Sequence, residues 1–180
     1  MTFFIKRFFT GSLFFVLLLT VRTAPAQQYS FVTHWELRAP VDAVWEAICH
    51  PGTWPEWWKG VAVSRVGESD TAGIGTVMRF SWRGRLPYRL RFMMRLTERV
   101  DHTKLAGQAW GDLEGTGVWY FREEEGITFV DCYWDVSVRK PWIRRLSWLL
   151  RPVFRSNHDL VMRRGAKGLA RRLYAPLLAY

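Results

Sequence analysis

The stretch YSFVTHWELRAPVDAVWEAICHPGTWPEWW, residues 29–58, contains the change of periodicity on which the fold prediction depends. Its first ten residues follow a period of two, which predicts a strand over 29–38. Pro40 ends this strand, because the residue before a proline is restricted to extended geometry. Apolar residues then recur at helical spacing over 41–48. Residues 51–58 predict a second short helix, whose three tryptophans form a lid of rings.

The next 80 or so residues carry the pattern of strands. Within 88–99, Leu90, Phe92 and Met94 share one face, and arginines dominate the other. One buried and one solvated face is typical of an antiparallel sheet that covers a core on a single side. The predicted strands after the short helices are 61–65, 75–82, 88–99, 104–110, 118–123 and 127–138.

The C-terminal region predicts one long helix. Pro141 suits its first turn, and apolar residues recur at helical spacing up to Leu173. Pro152 should kink or divide it into 143–151 and 153–173. A sheet of about seven strands must curl, and its inner face needs cover. We therefore predict an α+β domain over 29–180, a curved antiparallel sheet around a long C-terminal helix, with two short helices after the first strand.

The first 26 residues are predicted to be a signal peptide or an N-terminal anchor. Lys6 and Arg7 precede a mainly apolar stretch of fourteen residues, 8–21, and Ala24-Pro25-Ala26 follows. This stretch is short for a bilayer span of about 20 residues, which favours cleavage before Gln27. Cleavage would make the protein exported or periplasmic. Without cleavage it is membrane-anchored, and a mis-assigned start codon would leave it cytoplasmic.

The formal net charge of +10 is concentrated near the C-terminus. Residues 139–180 hold eleven basic side chains against Asp159 alone. This surface could meet anionic lipid headgroups, or it could be the solvated face of an amphipathic helix. No recognised nucleic-acid module accompanies the charge, so nucleic acid is not an expected partner. The sequence does not predict the oligomeric state.

Metal and cofactor chemistry are not predicted. The four histidines show no ligand spacing with each other or with the two cysteines. Cys49 and Cys132 are expected to be buried small hydrophobic residues, since two thiols this far apart make no disulfide framework. No serine lies in a nucleophile-elbow pattern.

Several motifs resemble a known superfamily. Residues 35–45, WELRAPVDAVW, and 54–58, WPEWW, are similar to the opening of the START-like (SRPBCC, polyketide cyclase/dehydrase) superfamily. Residues 111–115 with Trp119, and Asn157-His158 followed by Met162 and Gly165, resemble one bacterial branch of it. The resemblance implies the helix-grip fold, with a deep hydrophobic cavity between the sheet and the C-terminal helix. The superfamily includes lipid carriers, hormone receptors, aromatic cyclases and hydroxylase subunits, so the fold alone does not choose a function.

Three residues are the candidates for acid–base chemistry. His158 borders the apolar stripe of the last helix beside Asn157; both could meet a polar group of a ligand, or both could bond to backbone. Asp112 and Glu114 lie two positions apart and so would share one side of a regular strand, where one could become a proton donor. The glycines around them indicate a turn or bulge instead, with both carboxylates solvated or paired.

The function predicted first is the binding or carriage of a hydrophobic small molecule, either a lipid or an acyl or polyketide-like compound. A cyclase or dehydratase that uses His158 with Asp112 or Glu114 is the first alternative. A peripheral membrane or partner-binding module acting through the basic C-terminal region is the second. The predicted ligand-binding residues are Trp35, Phe92, Met94, Trp110, Trp119, Phe154, Asn157, His158 and Val161.

Overall fold

A computed structural model describes residues 28–66, 73–138 and 147–180 of the chain. The predicted signal peptide or anchor over 1–26 lies outside these ranges, as does the predicted beginning of the last helix before Ser147. Within the described ranges, no helix combines the length and the apolar character needed to cross a bilayer.

The described residues form one antiparallel sheet, short helices after its first strand, and one long helix near the end of the chain. The elements are β1 Gln28–Leu37, α1 Val41–Cys49, a 3₁₀ turn Pro51–Thr53, α2 Trp54–Trp57, β2 Val61–Val66, β3 Val77–Trp82, β4 Leu90–Val100, β5 Lys104–Gly111, β6 Leu113–Glu124, β7 Ile127–Val138, α3 Ser147–Arg172 and β8 Leu177–Ala179. The strand order is β2-β3-β4-β5-β6-β7-β1-β8. The predicted α+β architecture, a curved antiparallel sheet with a long C-terminal helix, is confirmed.

Two details of the fold differ from the prediction. Strand β8 adds an eighth strand; it pairs with β1 only at Glu36 and Leu37, which is too short a ladder to leave a periodic signal. Helix α3 is one continuous element through Pro152, so the expected division into two helices is not found, while the kink stays a prediction.

Tryptophans fill the space between the sheet and α3. The Trp58 ring lies 5.6 Å from Trp35 of β1 and 5.9 Å from Trp82 of β3, measured between ring centroids. Its Nε1 donates a hydrogen bond to the carbonyl oxygen of Val161 on α3 at 2.8 Å. The tryptophans of the second short helix were expected to form a lid; Trp54, Trp57 and Trp58 are instead buried in the core.

Two glycines let α3 approach these rings closely. A Cβ atom built at Gly168 would overlap the backbone oxygen of Trp57, and one built at Gly165 would overlap the indole of Trp58. Glycine at these positions therefore sets the distance between α3 and α2. Little free volume remains where α3 faces the inner strands: the void between Trp82, Trp134 and His158 measures about 20 Å³, room for about one water molecule.

Candidate functional site

A cavity of about 420 Å³ lies away from α3, between the inner face of β2–β5 and the C-terminal end of α1 with the 3₁₀ turn. No described side chain of α3 lines it, because the described part of α3 packs on β1, α2 and β8. The cavity was expected between the sheet and the C-terminal helix. Beside His158 the tryptophans fill that space, and a second space of about 380 Å³ lies between β1, α3 and the end of the chain, lined in part by the polar side chains of His34, Asp159 and Arg163. The mainly apolar cavity lies beyond the tryptophans. Its size falls within the roughly 300–1,000 Å³ of small-molecule sites.

The wall of the cavity is mostly apolar. Its inner end is formed by Trp54, Phe80, Met94 and Trp119. The rest of the apolar wall is formed by Ile48, Val63, Met78, Leu96 and Leu105. The two methionines lie side by side on β3 and β4, since Met78 pairs with Met94. Methionine side chains are flexible and polarisable, so this part of the wall can adjust to ligands of different shape.

The outer end of the cavity, which we call the rim, carries polar groups. Cys49, His50, Arg65 and Arg99 belong to it. A β-bulge between Leu96 and Glu98 shifts the alternation of β4, which brings Arg99 to the same face as Leu96. The Arg99 guanidinium lies 5.5 Å from the centre of the Trp45 ring, and its Nε donates to Asp101 at 2.7 Å.

Only some of the predicted ligand-binding residues reach this cavity. Met94 and Trp119 line it, while Trp35 and Val161 are buried in the core. Phe92 borders the 20 Å³ void.

Two further predicted residues lie elsewhere. Phe154 packs against Tyr29 with ring centroids 5.3 Å apart. Trp110 is on the outer face of the sheet, 38% exposed, and its ring is contacted by Arg95, whose guanidinium lies 5.7 Å from the ring centre. Four of the nine predicted residues thus line the void or the cavity that adjoins it, and the other five lie elsewhere; the four are Phe92, Met94, Trp119 and His158.

Asn157 is buried and bonds to backbone. Its Oδ1 accepts hydrogen bonds from the amides of Arg85 at 2.7 Å and Leu86 at 3.2 Å, in the connection between β3 and β4. Gly84 leaves room for this contact, since a Cβ atom there would overlap the Asn157 side chain. Asn157 thus ties α3 to the β3–β4 connection, which corresponds to the backbone-bonding alternative left open above.

His158 is buried against Phe31, with the two rings stacked 4.2 Å apart between centroids. Among the described residues its Nδ1 has no hydrogen-bond partner, and it lies 3.6 Å from the Asp159 carboxylate. Burial lowers the pKa of His158 to about 4, although the Asp159 carboxylate acts in the opposite direction. The imidazole is therefore neutral at pH 7.

The buried imidazole of His158 should make the free energy of unfolding fall in acid. The unfolded chain takes up a proton near the ordinary pKa of about 6.5, whereas the folded chain does so only near 4. Stability is therefore lost as the pH falls from about 6.5 toward 4. We expect His158→Phe, which removes this titration, to lose less free energy of unfolding than the wild type between pH 7 and about 5, as measured by urea unfolding at each pH. Parallel losses in the two proteins would contradict this account of His158.

Asp112 and Glu114 point away from the inner face. Glu114 follows the buried Leu113 on β6, so its side chain takes the opposite, exposed side of the strand. Asp112 lies just before β6 and faces the backbone of β4. Asp112 forms two bonds to one residue of β4: its Oδ2 accepts from the Arg91 amide at 3.0 Å, and its own amide donates to the Arg91 carbonyl oxygen. Neither carboxylate lines the cavity.

One group of side chains, beside and within the rim, brings together three possible metal ligands. Ligand atoms of Glu46, Cys49 and His50 lie within 4.8 Å of one another at the end of α1. This group was not predicted from the sequence, although positions i, i+3 and i+4 of a helix share one face. Such a set of carboxylate, thiolate and imidazole suits zinc. In the structure, His50 Nδ1 instead bonds the Glu46 carbonyl oxygen at 2.9 Å, and burial raises the pKa of the Cys49 thiol to about 11.

Comparison with known proteins places this geometry in a family context. A family model described as polyketide cyclase / dehydrase and lipid transport matches residues 28–174. No curated protein sequence gives a significant match.

Solved structures share the fold. The protein TTHA0849 of Thermus thermophilus is similar with a TM-score of 0.65 and 16% identity, over 80% of this chain and 99% of its own. For the Zhui aromatase/cyclase from Streptomyces sp. R1128 the TM-score is 0.63 and the identity 15%, over 81% and 96%. Norcoclaurine synthase from Thalictrum flavum gives a TM-score of 0.53 and 13% identity, over 82% and 88%. These TM-scores establish a common fold. Sequence identities this low do not identify the ligand.

Proposed function

Because the chain belongs to the polyketide cyclase / dehydrase and lipid transport family, we propose that it binds or carries a hydrophobic small molecule, a lipid, acyl or polyketide-like compound, in the cavity beneath the 3₁₀ turn. The observation that carries the proposal is about 420 Å³ of space with a mainly apolar wall. Burial of apolar ligand surface at about 25 cal/mol per Å² is sufficient for micromolar affinity. The tryptophans at the inner end supply wide apolar contact with few rotatable bonds.

Filling the cavity should abolish this binding. Val63 lines the cavity, and the neighbouring Ala62 is exposed on the other side of β2. We expect Val63→Trp to weaken the uptake of the neutral fluorescent probe N-phenyl-1-naphthylamine by about tenfold or more, equivalent to at least about 1.4 kcal/mol. Ala62→Trp, the matched control on the same strand, should bind as the wild type does. A Val63→Trp protein that is folded by circular dichroism and binds the probe normally would show that the cavity is not the binding site.

The enzymatic alternative, with His158 and Asp112 or Glu114 as acid and base, has less geometric support. His158 is neutral at pH 7 and borders a void of about 20 Å³, and the two carboxylates face away from the cavity. Titratable side chains of a different set do line the cavity, among them Cys49 and His50. A cyclase or dehydratase built on this cavity would therefore draw its proton-moving group from His50, the rim imidazole.

The peripheral-membrane alternative rests on the outer side of α3. Arg155, Arg163, Lys167 and Arg171 are exposed there, and Val161, Met162 and Leu169 are buried on the other side. Under this alternative, association with vesicles containing anionic lipid should be strong at low salt. It should fade toward 1 M salt, where the screening length falls to about 3 Å. Co-sedimentation measures it, and equal association with purely zwitterionic vesicles would exclude an electrostatic membrane role.

A further inference from the structure

The cavity differs in character between its two ends, and the difference identifies the class of ligand. We propose that the ligand is an amphiphile with one anionic group, a carboxylate on an apolar body, whose apolar part lies against Trp54 and Trp119 and whose carboxylate lies at the rim near Arg65 and Arg99. This inference rests on the proposed binding function and adds the chemistry and the orientation of the bound molecule.

The first support is the direction of the strands. β2 and β4 each pair antiparallel with β3 and so run the same way. Along β4 the inward side chains progress from Phe92 at the aromatic end to Arg99 past the bulge. Along β2, Val63 and Arg65 share one side and progress in the same direction. Both arginines therefore lie beyond Val63 and Phe92 in this direction. Trp119 is on the row of Arg99, since both pair with Leu105. What separates the tryptophans from the arginines is the 20 Å³ void, which Trp54 and Trp119 line and the two arginines do not.

The second support is the sign of the charge. Among the described residues, those that line the cavity include Arg65 and Arg99 and no aspartate or glutamate. Two carboxylates lie close to the rim: that of Asp101, which bonds Arg99, and that of Glu46, which lies beside Cys49 and His50. Both are largely exposed to solvent and neither lines the cavity. A bound anion would join guanidinium groups that already have partners, and a bound cation would meet like charge with no compensating carboxylate in the wall.

The third support is the fixed position of Arg99. The Asp101 bond and the Trp45 ring hold its guanidinium from two sides. A pre-oriented guanidinium loses less conformational entropy when it bonds a carboxylate, and its planar fork of donors matches a carboxylate well. The rim is therefore suited to bind a carboxylate of the ligand directly.

The test uses three ligands with the same ten-carbon chain: decanoate, decanol and decyltrimethylammonium. Binding is followed at pH 8, where the acid is ionised, by calorimetry and by quenching of tryptophan fluorescence. We expect decanoate to bind about tenfold more tightly than decanol, and the ammonium compound to bind more weakly than decanol. The pair 1-naphthoate and 1-naphthalenemethanol repeats the comparison on an aromatic body. Tighter binding of decanoate than of 1-naphthoate indicates a fatty acid, and tighter binding of 1-naphthoate indicates an aromatic, polyketide-like acid.

Variants of the two arginines test the contact with the carboxylate separately from the binding of the apolar chain. Arg65→Gln and Arg99→Gln should each reduce the affinity for decanoate toward that for decanol and leave decanol binding unchanged. Arg95→Gln, on the outer face beside Trp110, is the control and should change neither affinity.

The outcomes keep the two proposals apart. Equal affinity of the wild type for decanoate and decanol would overturn the anionic headgroup and leave the cavity as an apolar binding site. If none of the probes binds, and N-phenyl-1-naphthylamine does not bind either, the proposed function itself fails. If the arginine variants reduce the affinity for decanol as much as the affinity for decanoate, the arginines stabilise the fold, and the headgroup assignment is overturned.

Discussion

Replacement of Trp58 with alanine is expected to lower the free energy of unfolding by about 3–5 kcal/mol, the usual cost of deleting a buried aromatic ring. The Trp58 side chain is 0% exposed, and its ring centroid lies 4.9 Å from that of Trp54 and 5.6 Å from that of Trp35. The substitution also leaves the Val161 carbonyl oxygen without its donor. Urea unfolding followed by far-ultraviolet circular dichroism measures the loss.

An exposed tryptophan provides the control. Trp110→Ala removes a ring from the outer face of the sheet and one contact with Arg95, so a loss below about 1 kcal/mol is expected. If Trp58→Ala does not fold, Trp58→Phe retains an aromatic ring and loses the hydrogen bond to Val161, with an expected loss of about 1–2 kcal/mol. Equal losses at positions 58 and 110 would contradict the central place given to Trp58 in the core.

Gly168→Ala is expected to destabilise the protein by about 1–3 kcal/mol, the range for overpacking a tight core. Helix propensity alone predicts the opposite sign, since alanine is favoured over glycine in a helix interior by about 1 kcal/mol. The added methyl group has no room, because it would overlap the backbone oxygen of Trp57 and α3 would have to move away from α2. Thermal and urea unfolding both report the sign.

Gly52→Ala is the matched control for this substitution. A Cβ atom built at Gly52 has no neighbour within 4 Å, so the same change of one methyl group should be within about 0.5 kcal/mol of neutral. A stabilised Gly168→Ala protein would show that α3 does not approach α2 as closely as described.

The sequence predicts the fold well because its strands are long and solvated on one face. Strand β4 shows this best: the alternation of Leu90 and Phe92 with arginines needs no knowledge of the rest of the chain. β8 escaped prediction because Leu177–Ala179 is too short to show a period. Helix α3 continues through Pro152, so the rule that proline divides a helix did not apply here.

The position of the cavity is harder to predict, because it depends on the distance between elements and not on periodicity. Apolar stripes on the sheet and on α3 indicate that they face each other, yet they do not say how much space remains between them. Gly165 and Gly168 could have indicated this distance. Glycines on the buried stripe of a helix allow close packing, and close packing leaves little space. His158 and Asn157 were accordingly predicted near a ligand, while the space beside them is largely filled.

The rim residues were missed for a related reason. Arg99 reaches the inner face only because of the bulge between Leu96 and Glu98, and a bulge reverses the alternation from which faces are assigned. Cys49 and His50 follow the last apolar position of α1 and read in the sequence as the end of a helix. Their place at the cavity arises from the 3₁₀ turn that follows, which folds this end of α1 over β2.

The most direct test of the account is a crystal structure of the protein soaked with 10-bromodecanoate and measured at the bromine absorption edge. The terminal bromine should give an anomalous peak at the inner end of the cavity, beside Trp54 and Trp119, with the carboxylate toward Arg65 and Arg99. A peak between the sheet and α3 beside His158, or bromine bound only at the surface with the cavity empty, would contradict the claim that the free volume beneath the 3₁₀ turn is the binding site.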